Sequence, residues 1–543
     1  MPNPLVLAAL SLLAAYLYSK LRYKRFQQYA DFPQLPPSLL LGHLRYMGDY
    51  LAQGPADRHP DGVFMQMNKD LGRPPLVLVD LRPMSRPLVL VGNHEIAEQI
   101  SKATKLYPTS APKNDLAYME PIIGPKSILT LHGEEWKTLR KGFNPGFAPQ
   151  YLMTLLPCIL DKTMSFSEHL DSFARTGDDF SLVSLGMNLT FDIIGMVVMG
   201  EDLRAQHADP SSQSELINLY RKILSTYTED EADSPWWLNP RIALKRRRLG
   251  KRINAVIKAI IHRRHSTKSD NARNILSLAL KDTEALTTQL VDEACDQIKT
   301  FLLAGHDTTS ITIAWIMYEL SLTPHALKAV RAELDAIFGP ATGVAEVRDR
   351  LLSPGGPDAL NSMKYISAVI KETLRLHPPA GTARMSTSGA GFTVRAPGGQ
   401  EYCLDGMIVY NCETLIQRDP EVYGDSAESF VPERWIGQDN ESPGKNSIES
   451  SSQIPPSAWR PFERGPRNCI GQEFATIELR VIIAAIARRY DFTKVGLGEV
   501  KMGGNGLPVT ADGDRFEVQS ELYNTQQITA KPVDGMRMKV KMV

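Results

Sequence analysis

Apolar residues are concentrated at the start of the chain, and basic residues follow them directly. Residues 4–18 are almost purely apolar, and Lys20, Arg22, Lys24 and Arg25 come next. No polar face divides the apolar run, so it indicates a membrane anchor more than an amphipathic or core helix. Under the positive-inside rule, the basic cluster keeps the rest of the chain on the cytoplasmic side. The sequence therefore predicts a single-pass anchor over residues 1–20 and a basic, proline-rich hinge over residues 21–45.

The remaining pattern predicts a mostly α-helical body with small β-sheets. Two short apolar runs, residues 75–80 and 87–91, predict strands. A helical repeat of apolar positions extends over residues 288–320. Neither an internal repeat nor a long linker divides the body, so we predict one large domain over residues 46–543. Residues 441–457 are rich in Ser, Pro and Gly and predict an exposed insertion within it.

Charge and cysteine content narrow the class of protein. Lys+Arg and Asp+Glu both number 61, so the balance gives no sign of a nucleic-acid partner. The five cysteines are widely spaced and include no Cys-x-x-Cys pair that would suggest zinc or a redox dithiol. An odd number of dispersed cysteines fits a reducing compartment and one special thiol better than a disulfide framework. They are Cys158, Cys295, Cys403, Cys412 and Cys469.

One of these cysteines lies in a distinctive loop. Residues 462–471 match the pattern Phe-x-x-Gly-x-Arg-x-Cys-x-Gly at every fixed position. In this loop the chain resembles the cytochrome P-450 family of haem-thiolate monooxygenases. The resemblance implies that Cys469 is the axial ligand of a haem iron, a thiolate that donates electron density and favours O–O cleavage. It also implies that Arg467 pairs with a haem propionate, that Phe462 shields the sulfur, and that Gly471 permits close approach of the backbone.

The predicted long helix contains the sequence Ala-Gly-His-Asp-Thr-Thr over residues 304–309. Glycine and threonine are poor choices for the centre of a helix, and such local misfits are expected at functional sites. The resemblance implies that Asp307 and Thr308 are the acid and alcohol pair that supplies protons for dioxygen activation. Ala304 and Gly305 would make room for oxygen and substrate. A threonine bonded back to the carbonyl one turn earlier, with the aspartate in solvent, is the alternative.

Two further groups of residues complete the resemblance. Glu372 and Arg375 lie one turn apart on an amphipathic helix, and the family adds Arg434 to form a buried structural triad behind the cysteine loop. The second group is predicted to contact the haem propionates and comprises Trp136, Arg140 and Arg384. The resemblance thus implies the P-450 fold, with haem between the long central helix and the cysteine loop in a haem-thiolate catalytic domain.

The resemblance implies a function as well. A P-450 monooxygenase inserts one oxygen atom of O2 into a lipophilic organic substrate by hydroxylation, epoxidation or a related oxidation. The implied cofactor is haem b, with electrons from NADPH through a separate flavoprotein reductase and cytochrome b5 as a further candidate partner. The sequence as a whole is similar to those of microsomal enzymes of filamentous-fungal secondary metabolism, such as polyketide biosynthesis. This similarity implies a location on the endoplasmic reticulum membrane, with the catalytic domain facing the cytoplasm. The alternatives are an O2-independent P-450-type isomerase or dehydratase, and a non-catalytic haem carrier or sensor.

Overall fold

Helices make up most of the protein, in a computed structural model that describes residues 3–228, 238–267, 274–281, 283–437, 454–511 and 515–543. The α-helices of this part of the chain are α1 (Pro4–Phe26), α2 (Leu44–Leu51), α3 (Pro60–Asp70), α4 (His94–Ser101), α5 (Glu120–Ile123), α6 (Gly133–Phe143), α7 (Pro149–Met153), α8 (Leu156–Thr176), α9 (Leu182–Met199), α10 (Glu215–Thr228), α11 (Pro240–Thr267), α12 (Ile275–Ala279), α13 (Thr288–Leu322), α14 (Pro324–Phe338), α15 (Val344–Leu352), α16 (Gly356–Asn361), α17 (Lys364–Leu376), α18 (Glu413–Ile416), α19 (Pro420–Tyr423) and α20 (Gln472–Ile486). The strands are β1 (Leu76–Val79), β2 (Leu88–Val91), β3 (Phe180–Ser181), β4 (Thr382–Met385), β5 (Thr393–Arg395), β6 (Glu401–Cys403), β7 (Ile408–Asn411), β8 (Tyr490–Lys494), β9 (Asn524–Gln526), β10 (Ala530–Pro532) and β11 (Arg537–Met542).

The chain forms two units. The first comprises residues 1–114, 381–427 and 454–468. Its main sheet has the order β1-β2-β7-β4, in which β2 pairs with β7 in parallel and the other pairs are antiparallel. Strands β1 and β2 are the two predicted apolar runs, and β1 is buried along its whole length, as expected of a strand covered on both faces. A separate hairpin joins β5 to β6.

The second unit comprises residues 115–380, 428–453 and 469–543, and α13 runs through it. The Thr287 hydroxyl caps α13 by accepting a hydrogen bond from the Leu290 amide, and most of the 35 residues of the helix are buried. The predicted helix over residues 288–320 is confirmed. Small sheets complete the unit, one of order β3-β11-β8 and one hairpin of β9 and β10.

Helix α1 differs from the other long helices in its exposure. Of the described helices, α1 and α9 are long and apolar enough to cross a membrane, but α9 is mostly buried inside the protein whereas the apolar window of α1 is entirely exposed. Arg25 near its end is buried and pairs with Asp80 at 2.6 Å, and it also donates to three backbone carbonyls. The predicted basic cluster therefore divides into one structural arginine and three exposed cations.

The predicted insertion covers residues 441–457. Residues 441–453 lie outside the described part of the chain, and residues 454–457 lie within it. The described end of it is ordered, because the Ser457 hydroxyl lies 2.9 Å from Nδ1 of His94 at the start of α4. This contact lies within the first unit and holds the chain just before the cysteine loop.

Candidate active site

The first part of the cysteine loop, residues 462–468, belongs to the first unit. Gly465 has a φ of +76°, and a Cβ there would lie 2.2 Å from the carbonyl oxygen of Ser101, so only glycine fits. Glu463 holds the loop beside it, because its carboxylate accepts hydrogen bonds from Asn411, Ser101 and Arg460. Phe462 packs against Trp459, and Arg467 is buried. The fixed Gly of the sequence pattern therefore has a steric cause.

The second part of the loop, from Cys469 onwards, belongs to the second unit and leads into α20. Cys469 is exposed, unlike Cys295 and Cys412, which are buried. A Cβ at Gly471 would lie 3.8 Å from Sγ of Cys469, an ordinary van der Waals distance, so Gly471 lies directly beside the sulfur. Cys469 thus shares its exposure with Cys403, and it is the exposed cysteine that lies in the loop.

Helix α6 of the same unit carries Trp136 and Arg140, one turn apart. Trp136 is buried, whereas Arg140 is partly exposed and its Nε donates to Oδ1 of Asn144 at 2.9 Å. Burial lowers the pKa of Arg140, and the neighbouring Cys469 partly offsets this effect. A cation next to a thiol favours the thiolate form, which is the form that binds metals.

Arg384 on β4 lies in the first unit and is completely buried. Its Nη1 makes long contacts of 3.4 Å with Ser110 Oγ and the Ala111 carbonyl. Its Nε and Nη2 have no hydrogen-bond partner among the described residues. Burial lowers the pKa of this guanidinium, and Glu463 partly opposes the shift. Buried guanidinium donors without acceptors are matched by a bidentate carboxylate.

The centre of α13 carries a notch of accessible residues, Ala304, Gly305 and Thr308, in an otherwise buried stretch. Ala304 and Thr308 lie one turn apart, and the Thr308 hydroxyl donates to the Ala304 carbonyl at 2.9 Å. A Cβ on Gly305 would lie 2.7 Å from Cδ1 of Ile194 on α9. The glycine therefore allows α9 and α13 to pack closely, and the notch beside it remains open.

Asp307, next to Thr308, is not in solvent. Its side chain is buried, and Nζ of Lys531 lies 2.7 Å from Oδ1. The Thr529 hydroxyl donates to Oδ2, and Nε2 of His306 lies 4.0 Å from Oδ1. Burial raises the pKa of Asp307, but the Lys531 charge, His306 and the hydrogen bonds outweigh it, so the net pKa lies below the ordinary value. The alternative reading of the sequence had Thr308 bonded back to a carbonyl one turn earlier and Asp307 in solvent. The Thr308 bond is present, but Asp307 is buried.

Glu372, Arg375 and Arg434 meet in the second unit. Arg375 donates to both carboxylate oxygens of Glu372, at 2.9 and 2.8 Å, and Arg434 donates to Oε1 at 3.1 Å. Trp435 adds a fourth member through a hydrogen bond of 2.9 Å from Nε1 to Oε2. Arg375 also donates to the Ser429 carbonyl. These contacts tie the segment around residues 429–435 to helix α17.

Sequence reasoning missed three residues of these clusters. Trp435 directly follows Arg434 in the sequence, and this adjacency could have indicated that it joins the Glu372 cluster. Lys531 and Thr529 carried no such signal, because they lie in and beside β10, far along the chain from Asp307. Only the fold brings them to the carboxylate.

Comparison with known proteins decides the family. The family model for cytochrome P-450 matches residues 37–510, which is most of the chain. The chain belongs to the cytochrome P-450 family. A P-450 monooxygenase of Aspergillus aculeatus, acrF, is 30% identical over 508 residues, which cover 90% of this chain and 98% of that protein. A bifunctional cytochrome P-450/NADPH–P-450 reductase of Alternaria alternata is 24% identical over 75% of this chain and 34% of its own length.

A solved structure confirms the predicted fold class. The crystal structure of the cytochrome P-450DA haem domain superimposes with a TM-score of 0.71 and 17% identity, and the match covers 94% of this chain and 97% of that one. The predicted enzyme class, a haem-thiolate monooxygenase, is confirmed by the family match and by the relative named as a monooxygenase. The predicted resemblance to fungal members agrees with the organisms of both relatives.

P-450 proteins carry haem and generally take electrons from a redox partner. The residues present fit this cofactor in two independent ways. The accessible sulfur of Cys469, next to the Arg140 charge, is suited to a metal bond. The unmet buried donors of Arg384 are suited to an acidic side group.

Proposed function

We propose that this P-450 inserts one oxygen atom of O2 into a lipophilic organic substrate, by hydroxylation, epoxidation or a related oxidation, in fungal secondary metabolism such as polyketide biosynthesis. The observation that carries this proposal is the intact acid and alcohol pair on α13, with the Thr308 hydroxyl at an accessible notch and Asp307 ionised behind it. Neither an O2-independent isomerase or dehydratase nor a non-catalytic carrier requires such a pair.

The cofactor that we propose is haem b, which supplies the activation of O2 when it is bound. Cys469 would bind its iron through the thiolate sulfur. Four donors would hold its propionates by charge-assisted or neutral hydrogen bonds, and Phe462 and Gly471 would flank the sulfur. These donors are Trp136, Arg140, Arg384 and Arg467. Ala304 and Gly305 would leave space on the α13 side.

The protein's own contribution to the reaction is proton handling and exclusion of water. The Thr308 hydroxyl donates to the Ala304 carbonyl, so its lone pairs remain able to accept a hydrogen bond at the notch. Asp307 is held ionised, and an ionised carboxylate accepts a proton before it passes one on. We assign catalytic roles to Asp307 and Thr308, and a structural role to the cluster of Glu372, Arg375 and Arg434.

We further propose that electrons come from NADPH through a separate flavoprotein reductase, with cytochrome b5 as a second candidate partner. The reductase fused to the Alternaria relative supports this route. Helix α1 would anchor the chain in the endoplasmic reticulum membrane as a single span, with the catalytic domain facing the cytoplasm. Its exposed apolar window supports this, as do the exposed Lys20, Arg22 and Lys24 that follow.

The test is oxygen-isotope incorporation by the full-length protein with a purified NADPH–cytochrome P-450 reductase. Lipophilic candidates are first screened for a shift of the haem absorption spectrum, and each hit is then incubated under ¹⁸O2. We expect one ¹⁸O atom in the product and a strict requirement for NADPH and reductase. Turnover without NADPH would favour the isomerase or dehydratase, and loaded protein without any reductase-dependent oxygen uptake would favour the carrier.

The role of Thr308 is tested in the same system. Thr308→Ala should keep the spectrum and the binding of the hit but divert NADPH into hydrogen peroxide, because the hydroxyl at the notch is lost. Thr308→Ser is the matched control, since it retains the hydroxyl, and it should keep most of the coupling between NADPH use and product. Tight coupling in Thr308→Ala would remove Thr308 from the proposed pair.

A further inference from the structure

The last turn of α1 is fixed to the first unit by a buried arginine. Nη1 of Arg25 lies 2.6 Å from Oδ2 of Asp80, and both side chains are almost completely buried. Nε of Arg25 donates to the Leu39 carbonyl at 3.1 Å, and Nη2 donates to the carbonyls of Leu40 and Arg82 at 2.7 and 2.8 Å. A buried guanidinium with charge-assisted bonds fixes geometry far better than an exposed ion pair does. The end of α1 is therefore attached to two loops of the first unit.

Arg82 binds the same carboxylate and also holds α1. Its Nε donates to Oδ1 of Asp80 at 2.8 Å, and its Nη2 donates to Oδ2 at 2.9 Å. It further donates to the Lys24 carbonyl at 2.6 Å and to Oε1 of Gln28 at 2.9 Å. Burial raises the pKa of Asp80, but the hydrogen bonds from Arg82 and Arg25 outweigh it, so the net pKa lies below the ordinary value. Arg25, Asp80 and Arg82 together form the anchor lock.

A glycine makes room for the anchor lock. Gly42 has a φ of +55°, and a Cβ there would lie 2.5 Å from the Asp80 carbonyl oxygen and 2.6 Å from Nη1 of Arg25. The next residue, His43, donates its amide to the Asp80 carbonyl, and its Nδ1 accepts a hydrogen bond from the Asp80 amide. The loop over residues 39–43 is thus built around the lock.

Three large apolar side chains are exposed on the two loops that the lock holds. Leu40 is 69% exposed, Leu41 49% and Met84 79%. The Leu40 carbonyl accepts a hydrogen bond from Arg25, and Met84 follows Arg82 by two residues. These three side chains, the apolar rim, therefore lie close to the end of α1. Exposed apolar side chains next to an anchor suit the bilayer interface better than water.

The short apolar run of α1 draws this region towards the bilayer. As an α-helix, residues 4–18 rise by about 22 Å, whereas the hydrocarbon core is about 30 Å thick. A span that is too short thins the bilayer or draws its flanks into the interface. From Tyr18 to Arg25 the helix rises by about 10 Å, which is comparable with a headgroup layer of about 5–8 Å on each side. With α1 inserted, the lock lies at the level of the headgroups.

We propose that the anchor lock fixes the orientation of the first unit on the membrane and seats the apolar rim in the headgroup region of the leaflet beside it. The inference rests on the proposed membrane anchor. The partner is the bilayer itself, whose interface takes up the leucine and methionine side chains. The exposed Lys20, Arg22 and Lys24 attract its anionic lipids. The anchor is then a rigid extension of the first unit and not a loose tether.

The depth of the apolar rim in a bilayer tests the proposal. The full-length, haem-loaded protein is reconstituted into vesicles of phosphatidylcholine and phosphatidylserine, with the exposed Cys403 replaced by Ala and a fluorophore attached at Met84→Cys. Lipids that carry a nitroxide near the headgroup quench a fluorophore that lies in the interface. We expect quenching at position 84 to be at least about threefold stronger than at Glu95→Cys.

Glu95 is the matched labelling position within the first unit. It is exposed, and it follows β2 at the end opposite the turn that carries Met84. The Cys403→Ala protein without a new cysteine gives the background labelling.

Arg25→Met tests the lock. The variant removes the ion pair with Asp80 and releases three carbonyls, so quenching at position 84 should fall at least about twofold. The protein should still float with the vesicles, because the apolar run is unchanged. Lys24→Met is the matched control, since it removes an exposed cation from the adjacent position, and it should keep the wild-type quenching. The haem absorption spectrum shows that each variant is folded.

Leu40→Ser gives a second measurement that leaves the lock in place. Its side chain is exposed, so the fold should be kept, and the loss of apolar surface should lower quenching at position 84 by about 1.5-fold or more. Leu507→Ser is the control, because Leu507 is 63% exposed and lies in the second unit. It should leave the quenching unchanged.

The outcomes separate the lock from the anchor. A wild-type protein that does not float with the vesicles would overturn the proposed anchor and the inference with it. Flotation with equal quenching at positions 84 and 95 would overturn the contact of the rim with the bilayer and leave the anchor intact. Wild-type quenching in Arg25→Met, beside reduced quenching in Leu40→Ser, would refute the role of the lock.

Discussion

Arg375 donates two hydrogen bonds to Glu372, and neither side chain is exposed to solvent. Arg434, Trp435 and the Val431 amide donate to the same carboxylate. Five donated hydrogen bonds thus converge on one buried anion.

We predict that Glu372→Ala lowers the free energy of unfolding by about 3–5 kcal/mol, because it removes the buried carboxylate that pairs with two arginines and accepts from an indole. Urea unfolding followed by circular dichroism measures the change. Glu215→Ala is the control, since its partner Arg252 is also exposed and the loss should be under about 1 kcal/mol. Equal losses in the two variants would mean that the cluster does not stabilise the fold.

Arg384→Met is expected to speed haem loss without destabilising the apoprotein. The substitution removes buried donors for which the described residues offer no acceptor, but it also removes the proposed charge-assisted contact to a propionate, which would be worth about 1.5–3 kcal/mol. Transfer of haem to a scavenging protein should become about tenfold faster or more. The exposed Arg395, substituted in the same way, should leave the transfer rate unchanged. A rate of haem transfer in Arg384→Met equal to that of the wild type would exclude Arg384 as a propionate contact.

The buried carboxyl group of Glu478 on α20 should make the free energy of unfolding depend on pH. Burial raises its pKa from 4.5 to about 8, and Thr309 only partly opposes the shift. Folding therefore takes up a proton between these pH values, so the stability contribution of Glu478 falls as pH rises from 4.5 towards 8 and is lost above it. Glu478→Gln should equal the wild type near pH 4 and exceed it in free energy of unfolding by about 4 kcal/mol near pH 8. Exposed Glu473→Gln is the control, and parallel pH curves for Glu478→Gln and the wild type would contradict the prediction.

The sequence predicted the elements that are local in the chain. The cysteine loop, the apolar repeat of α13 and the Glu372–Arg375 pair were recognisable. Each pattern is set by residues that lie one to seven positions apart in the chain. The strands β1 and β2 were also recognisable, since buried strands read as continuous apolar runs. The fold class followed from these elements taken together.

Contacts between distant segments could not be predicted. Lys531 meets Asp307, and Arg25 in the basic cluster meets Asp80, only because the fold brings them together. A charged residue that is buried by a distant partner looks in the sequence like any exposed charge. Gly305 similarly reveals its contact with Ile194 only in three dimensions.

The most direct test of the account is the absorption spectrum of the reduced protein with carbon monoxide. The wild type should show the position diagnostic of thiolate-ligated haem, and Cys469→Ala should lose it together with stable haem binding. Cys403→Ala removes the other exposed cysteine and should keep the wild-type spectrum. A Cys469→Ala protein with the wild-type spectrum would contradict the assignment of Cys469 as the haem ligand.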